Sequence, residues 1–135
     1  MPTEAIETIL ALAHAHATIA RALEVQGLSF AELRLLFALR AAEPEGRRPT
    51  ELARELQLTP SGVTRALLPL EKRGIVLREK DPGDARASHA KLTSAGSTVV
   101  GDAIGPAGER AAKLLRRLSI GQTKQLQRLL EEIGR

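Results

Sequence analysis

A chain of 135 residues with 43% apolar content can bury a core of its own; with two Phe and no Trp or Tyr, that core must be built from Leu, Ile, Val and Ala. The absence of Cys excludes disulfides, thiol redox chemistry and cysteine metal sites, and no apolar run approaches the roughly 20 residues that cross a bilayer. The net charge of +4 is local: residues 47–91 hold ten Lys or Arg against six Asp or Glu, while the remainder is balanced at ten of each, and so concentrated an excess suits a polyanionic partner.

The acidic start "MPTEAIETIL" lacks the basic segment of a secretory signal, so a cytoplasmic address is expected. Residues 4–24 read as a helix, with Ile6, Ile9, Leu10, Ala13, Ala17, Ala20 and Leu23 at helical spacing and Gly27 as its stop. "SFAE" at 29–32 is a capping box, in which the Ser29 hydroxyl and the Glu32 carboxylate satisfy free N–H groups of a second helix running to about Ala42. Pro49 opens a short third helix that reaches Leu56. After a tight turn, Thr59 caps a fourth helix with Pro60 at its first position, and Gly74 follows its end near Arg73. Two strands, "IVLREK" and a second ending at Leu92, enclose a Pro-Gly turn. Thr93 or Ser94 caps the next helix, which Gly105, Pro106 and Gly108 should bend or interrupt. Ser119 and Gln122 form a capping box for the last helix, with Leu126, Leu129, Leu130 and Ile133 on one side.

The third and fourth helices bury Leu52, Ala53 and Leu56, then Val63, Ala66, Leu67 and Leu70, and the turn between them is too short for antiparallel packing. They should cross steeply as a helix-turn-helix. The fourth helix then presents Ser61, Gly62, Thr64 and Arg65 outward. Small residues allow close approach to a major groove, Arg65 can reach a guanine edge or a phosphate, and Thr64 a phosphate or a thymine methyl. The hairpin that follows makes a wing, which carries Arg86 toward a minor groove, with Asp84 to hold the loop or orient that guanidinium.

"LSFAELRLLFAL" at 28–39, "TELARELQLTPSGVTRALLPLEKRGIVLRE" at 50–79, "DAR" at 84–86 and "LTSAG" at 92–96 together resemble the MarR family of bacterial transcription regulators, over nearly the whole chain. The resemblance implies a mostly α fold with a small β-wing: an N-terminal dimerisation helix at 1–28, a winged helix-turn-helix at 29–93, and connecting and dimerisation helices at 94–135. It implies a homodimer on double-stranded DNA, reading a palindromic operator as a repressor. For many members it also implies release by a small-molecule effector held between the two regions. The DNA-facing set is then Thr50, Pro60, Ser61, Gly62, Thr64, Arg65, Lys72, Arg73, Arg78, Lys80, Asp84 and Arg86. Leu68 and Pro69 depart from the family, which often has polar residues there, and Pro69 should loosen the second half of the helix.

Two other readings keep the same fold and charge: a winged helix that binds protein, and one that binds DNA without sequence preference. His14 and His16 point about 200° apart on a helix and cannot chelate one metal together. No metal or cofactor is expected. No nucleophile, phosphate loop or paired catalytic carboxylates occur, so no enzymatic activity is expected either.

Overall fold

The structure is a computed structural model and describes residues 1–135 apart from the side chain of Ala85. Its elements follow the expected order: α1 (Pro2–Ala22), α2 (Phe30–Ala41), α3 (Pro49–Leu56), α4 (Pro60–Lys72), β1 (Val76–Asp81), β2 (Asp84–Leu92), α5 (Ser94–Leu115) and α6 (Ile120–Ile133). The caps explain most boundaries. Ser29 and Glu32 exchange bonds at the start of α2, at 3.1 and 3.0 Å. Ser119 and Gln122 do the same for α6. α1 stops earlier than its pattern suggests. Gln26 and Gly27 both take positive φ in a tight turn that Val25 and Leu28 close with reciprocal backbone bonds of 3.1 and 2.8 Å.

The core is entirely aliphatic. Leu33, Leu35, Leu36 and Leu39 of α2 meet Leu52 of α3, Val63, Leu67 and Leu70 of α4, Ile75 and Val76, and Ala90 and Leu92 of β2. Among the described residues no polar or charged side chain is buried. α2 is the central element and packs against α1, α3, α5 and β2.

α5 is not interrupted, which corrects one of the two outcomes expected of it. It runs unbroken from Ser94 to Leu115 through Gly105, Pro106 and Gly108. Pro106 removes one helical hydrogen bond, but Val100, Ala103 and Ala107 lie in the core on either side of it, and that packing outweighs the local propensity. α4 likewise continues past Pro69 to Lys72, with Leu67 and Leu70 buried around it.

The terminal helices are different. Neither α1 nor α6 contributes a buried residue. Ile6, Ile9 and Leu10 of α1 and Ile120, Leu129 and Ile133 of α6 are between 55% and 79% exposed. No helix is long and apolar enough to cross a membrane.

Candidate nucleic-acid interface

The turn between α3 and α4 is set by two local devices. Gln57 adopts the left-handed conformation at φ 54°, and the N–H of Leu58 closes the end of α3 on the carbonyl of Ala53 at 2.8 Å. Thr59 then caps α4, its Oγ1 accepting from the N–H of Gly62 at 3.0 Å. A Cβ at position 62 would stand 2.9 Å from that oxygen, so glycine here serves the cap. The first turn of α4 carries no acidic residue, which leaves the positive end of its dipole uncompensated. Ser61 and Arg65 are exposed, Thr64 is half-buried, and Thr50 and Pro60 lie exposed at the starts of α3 and α4.

The wing is anchored at its base by the Leu-Thr-Ser-Ala-Gly segment. Thr93 caps α5 by accepting from the N–H of Gly96 at 2.9 Å, and its hydroxyl donates to the carbonyl of Gly74 at 2.5 Å. Gly96 sits so close to the backbone of Ile75 that a Cβ would collide with it. β1 and β2 pair antiparallel with Val76 opposite Leu92 and Lys80 opposite Ser88. The register then slips, because Asp81 pairs with Asp84. The extra residues of β2, Arg86 and Ala87 among them, fall in that irregular stretch. The backbone N–H of Arg86 donates to Asp84 Oδ1 at 2.9 Å. Asp84 therefore fixes the loop by holding backbone rather than by gripping the guanidinium, which is the first of the two roles expected of it.

Two anchors of the wing were not legible in the sequence. Arg47 forms an isolated β-bridge beside the hairpin, exchanging backbone bonds with Ala90 at 2.9 and 2.8 Å. Arg48 reaches across to Asp81 at 2.7 Å, and His89 Nε2 stands 3.3 Å from the same carboxylate. The N–H of Gly83 and then the Arg48 guanidinium hold the Asp81 carboxyl below the usual carboxylate range, and Asp81 in turn raises Arg48 above its ordinary value.

These contacts partition the charge. Arg47 pairs with Glu51 and Glu55, Arg48 with Asp81, Arg78 with Glu71, and Lys91 with Glu79. Every carboxylate between residues 47 and 91 thus has a partner, Asp84 through the Arg86 N–H. Among the described residues, Arg54 on α3 and Arg65, Lys72, Lys80 and Arg86 make no ion pair. Arg73 makes none either, but its Nη1 donates to the carbonyl of Gly27 at 3.4 Å. Of the expected DNA-facing cations, Arg78 is therefore committed to Glu71 and Arg73 leans on the α1–α2 turn, while the other four are free. Among the described residues no three His, Asp or Glu side chains gather as a metal site.

A second feature lies behind the helix-turn-helix. A cavity of about 320 Å³ opens between the end of α1, α2 and α5, walled by Leu23, Phe30, Leu33, Phe37 and Ile104, with Arg34 as its single charged lining residue. Both phenylalanines of the chain face it.

Comparison with known proteins gives this geometry a context. A profile described as MarR family matches residues 26–87. The chain is 30% identical over 116 residues to the HTH-type transcriptional repressor Rv2887 of Mycobacterium tuberculosis, covering 86% of this chain and 82% of that protein. A mutant of Escherichia coli MarR complexed with operator DNA superposes with a TM-score of 0.87 at 24% identity, covering 96% of this chain and 95% of that one. The PcaV transcriptional regulator of Streptomyces coelicolor, in complex with its natural ligand, gives 0.81 at 21% identity, covering 94% and 89%.

Proposed function

We infer that this chain, which belongs to the MarR family, is a transcription repressor that binds double-stranded DNA as a homodimer and reads a palindromic operator. The observation that carries the reading is the charge partition. Every carboxylate between residues 47 and 91 is engaged, and of the expected DNA-facing cations those left free, Arg65, Lys72, Lys80 and Arg86, lie on the recognition helix α4 and on the wing. In this reading α4 enters the major groove with Ser61, Gly62, Thr64 and Arg65 foremost, and Arg86 enters the adjacent minor groove, where a narrow groove concentrates negative potential. Thr50 and Pro60 approach the backbone at the starts of α3 and α4. The likeness of the fold to an E. coli MarR mutant complexed with operator DNA supports this reading.

The dimer follows from the terminal helices. The exposed Ile and Leu side chains of α1 and α6 make an apolar surface larger than a soluble monomer ordinarily carries, and an isologous interface buries it. Sedimentation at micromolar concentration should give twice the chain mass. The two-fold axis then sets the recognition helices about 34–36 Å apart, one helical turn of DNA.

The reading makes the protein a cytoplasmic regulator and not an enzyme, with release by a small, largely apolar effector. The cavity beside Phe30 and Phe37 is of ligand size and lies where α5 leaves the winged helix for the dimer helices.

A salt series on selected and random duplexes tests the function. If Arg65, Lys72, Lys80 and Arg86 of each protomer meet phosphates, log affinity falls against log salt with a slope of about −7 for a dimer. A steep slope without sequence preference would make the protein a non-specific DNA binder. Negligible affinity even at low salt would make the wing a protein-binding surface.

A further inference from the structure

Ser61, Arg65, Leu68 and Lys72 stand at i, i+4, i+7 and i+11 on α4, so their side chains form a single stripe along the helix. All four are exposed, and so is Pro69 beside them. The opposite side of α4 is locked into the core by Val63, Leu67 and Leu70, and the helix packs on α3 and β1. The stripe is thus fixed in place and open. Leu68 is 43% exposed, with an unpaired guanidinium one turn before it and an unpaired ammonium one turn after.

A lone exposed leucine on an ordinary surface needs no explanation. This one interrupts a cationic stripe, and the stripe defines what can cover it. The flanking cations require anions, and Leu68 requires a hydrocarbon group between them. The major groove of DNA is bordered by phosphates, and the C5-methyl of thymine is the apolar group its base edges offer. An RNA duplex has a major groove too narrow and deep for side chains to read. We propose that Leu68, with Pro69 at its side, contacts the C5-methyl of a thymine, so that each half-site carries thymine at a fixed position. The proposal rests on the DNA-binding reading above and adds a specificity determinant to it.

The spacing places that thymine. Leu68 lies three residues beyond Arg65, about 4.5 Å along the helix. Successive base pairs are about 3.4 Å apart. The thymine therefore falls one or two base pairs from the position that Arg65 contacts.

The test begins with duplexes selected by the full-length dimer from a random pool. The preferred duplex is resynthesised with deoxyuridine in place of thymine, one symmetric position at a time. This removes a methyl and leaves pairing and charge intact. Dissociation constants are measured at fixed salt for the wild type, Leu68→Ala and Leu68→Met, with circular dichroism to confirm unchanged helix content. At one position, uracil should weaken the wild type about fourfold per half-site, the factor that burying one methyl-sized group is worth. Leu68→Ala should bind the thymine and uracil duplexes alike, and Leu68→Met should keep the discrimination. Equal wild-type affinity for thymine and uracil at every position overturns the proposal, as does a Leu68→Ala variant that keeps the full ratio. A protein that selects a sequence but ignores the methyl overturns this inference alone; one that selects no sequence overturns the DNA-reading function with it.

Discussion

Three glycine-to-alanine changes should move stability in ways that the surroundings of each glycine set. Gly46 and Gly74 both take positive φ, 80° and 72°, which costs alanine about 1 kcal/mol at either place. At Gly74 nothing lies within 4 Å of the added methyl, so that cost stands alone. At Gly46 the methyl would overlap the carbonyl oxygen of Ala90 and stand 2.8 Å from Lys91 Cβ. Relief requires the 46–47 segment to draw away from β2, which opens the reciprocal Arg47–Ala90 bonds. Each such bond contributes about 0.5–1.5 kcal/mol net, so Gly46→Ala should cost about 2–4 kcal/mol in all. Gly105 is helical and open, and Gly105→Ala should stabilise α5 by up to about 1 kcal/mol. Thermal unfolding at one fixed protein concentration, as a dimer demands, should show Gly46→Ala lowered by about 10 °C, Gly74→Ala by about 4 °C, and Gly105→Ala unchanged or raised. Equal losses at Gly46 and Gly74 would refute the argument that Arg47 is held against Ala90 by close backbone approach.

Arg65→Ala and Arg86→Ala should each weaken binding to the preferred duplex by about 1–3 kcal/mol in anisotropy titrations, and Arg65→Ala should also relax preference at one base position. Unchanged affinity in both would remove DNA reading from this face. Thr59→Ala deletes the cap of α4 and should lower unfolding stability by about 1 kcal/mol, with Thr59→Ser restoring most of it. Asp81 has its pKa depressed in the folded chain, so its contribution is present above the unfolded value and is lost as pH falls through the lower folded one. The Gly83 amide resonance should therefore titrate below the ordinary aspartate range, and Asp81→Asn should abolish that transition.

What the sequence made legible is what is local. The Ser29–Glu32 and Ser119–Gln122 boxes, the Thr59 and Thr93 caps and the positive φ of Gly74 all depend on residues within a few positions of each other. So do the faces of α3 and α4, and with them the helix-turn-helix and its wing. The contacts that were missed join distant residues. Arg47 reaches Ala90, and Arg48 reaches Asp81 across 33 positions; nothing in either segment names its partner. The same difficulty affected the DNA-facing set. Arg78 has the residue type for phosphate contact, but Glu71 lies within reach across the end of α4 and engages it. The unbroken course of α5 shows the opposite conflict: a strong local signal at 105–108 is overruled by the burial of Ala103 and Ala107.

The course of α5 also changes where the recognition helices can gain or lose spacing. Val100, Ala103 and Ala107 share one core with Leu36 and Leu39 of α2. The winged helix cannot swing about the first half of α5 without exposing such side chains, at about 1.5–3 kcal/mol for each leucine or valine. Ala107 ties the 105–108 stretch to that core, so a joint there would have to expose it. Arg110 extends that tie to the end of α1, donating to the carbonyls of Ala22 and Glu24. Freedom to change the distance between two winged helices then lies beyond Arg110, where the end of α5 and α6 expose their apolar faces. An effector in the cavity beside Phe30 shifts that distance only if the cavity differs between the two arrangements, because a ligand bound equally well by both moves nothing. Ile104 and Ala107 wall the cavity from α5, Phe30 and Phe37 from α2. Since α5 and α2 share one core, the cavity can differ between the two arrangements only through its partly exposed walls, Phe37 and Ile104, and through the end of α1.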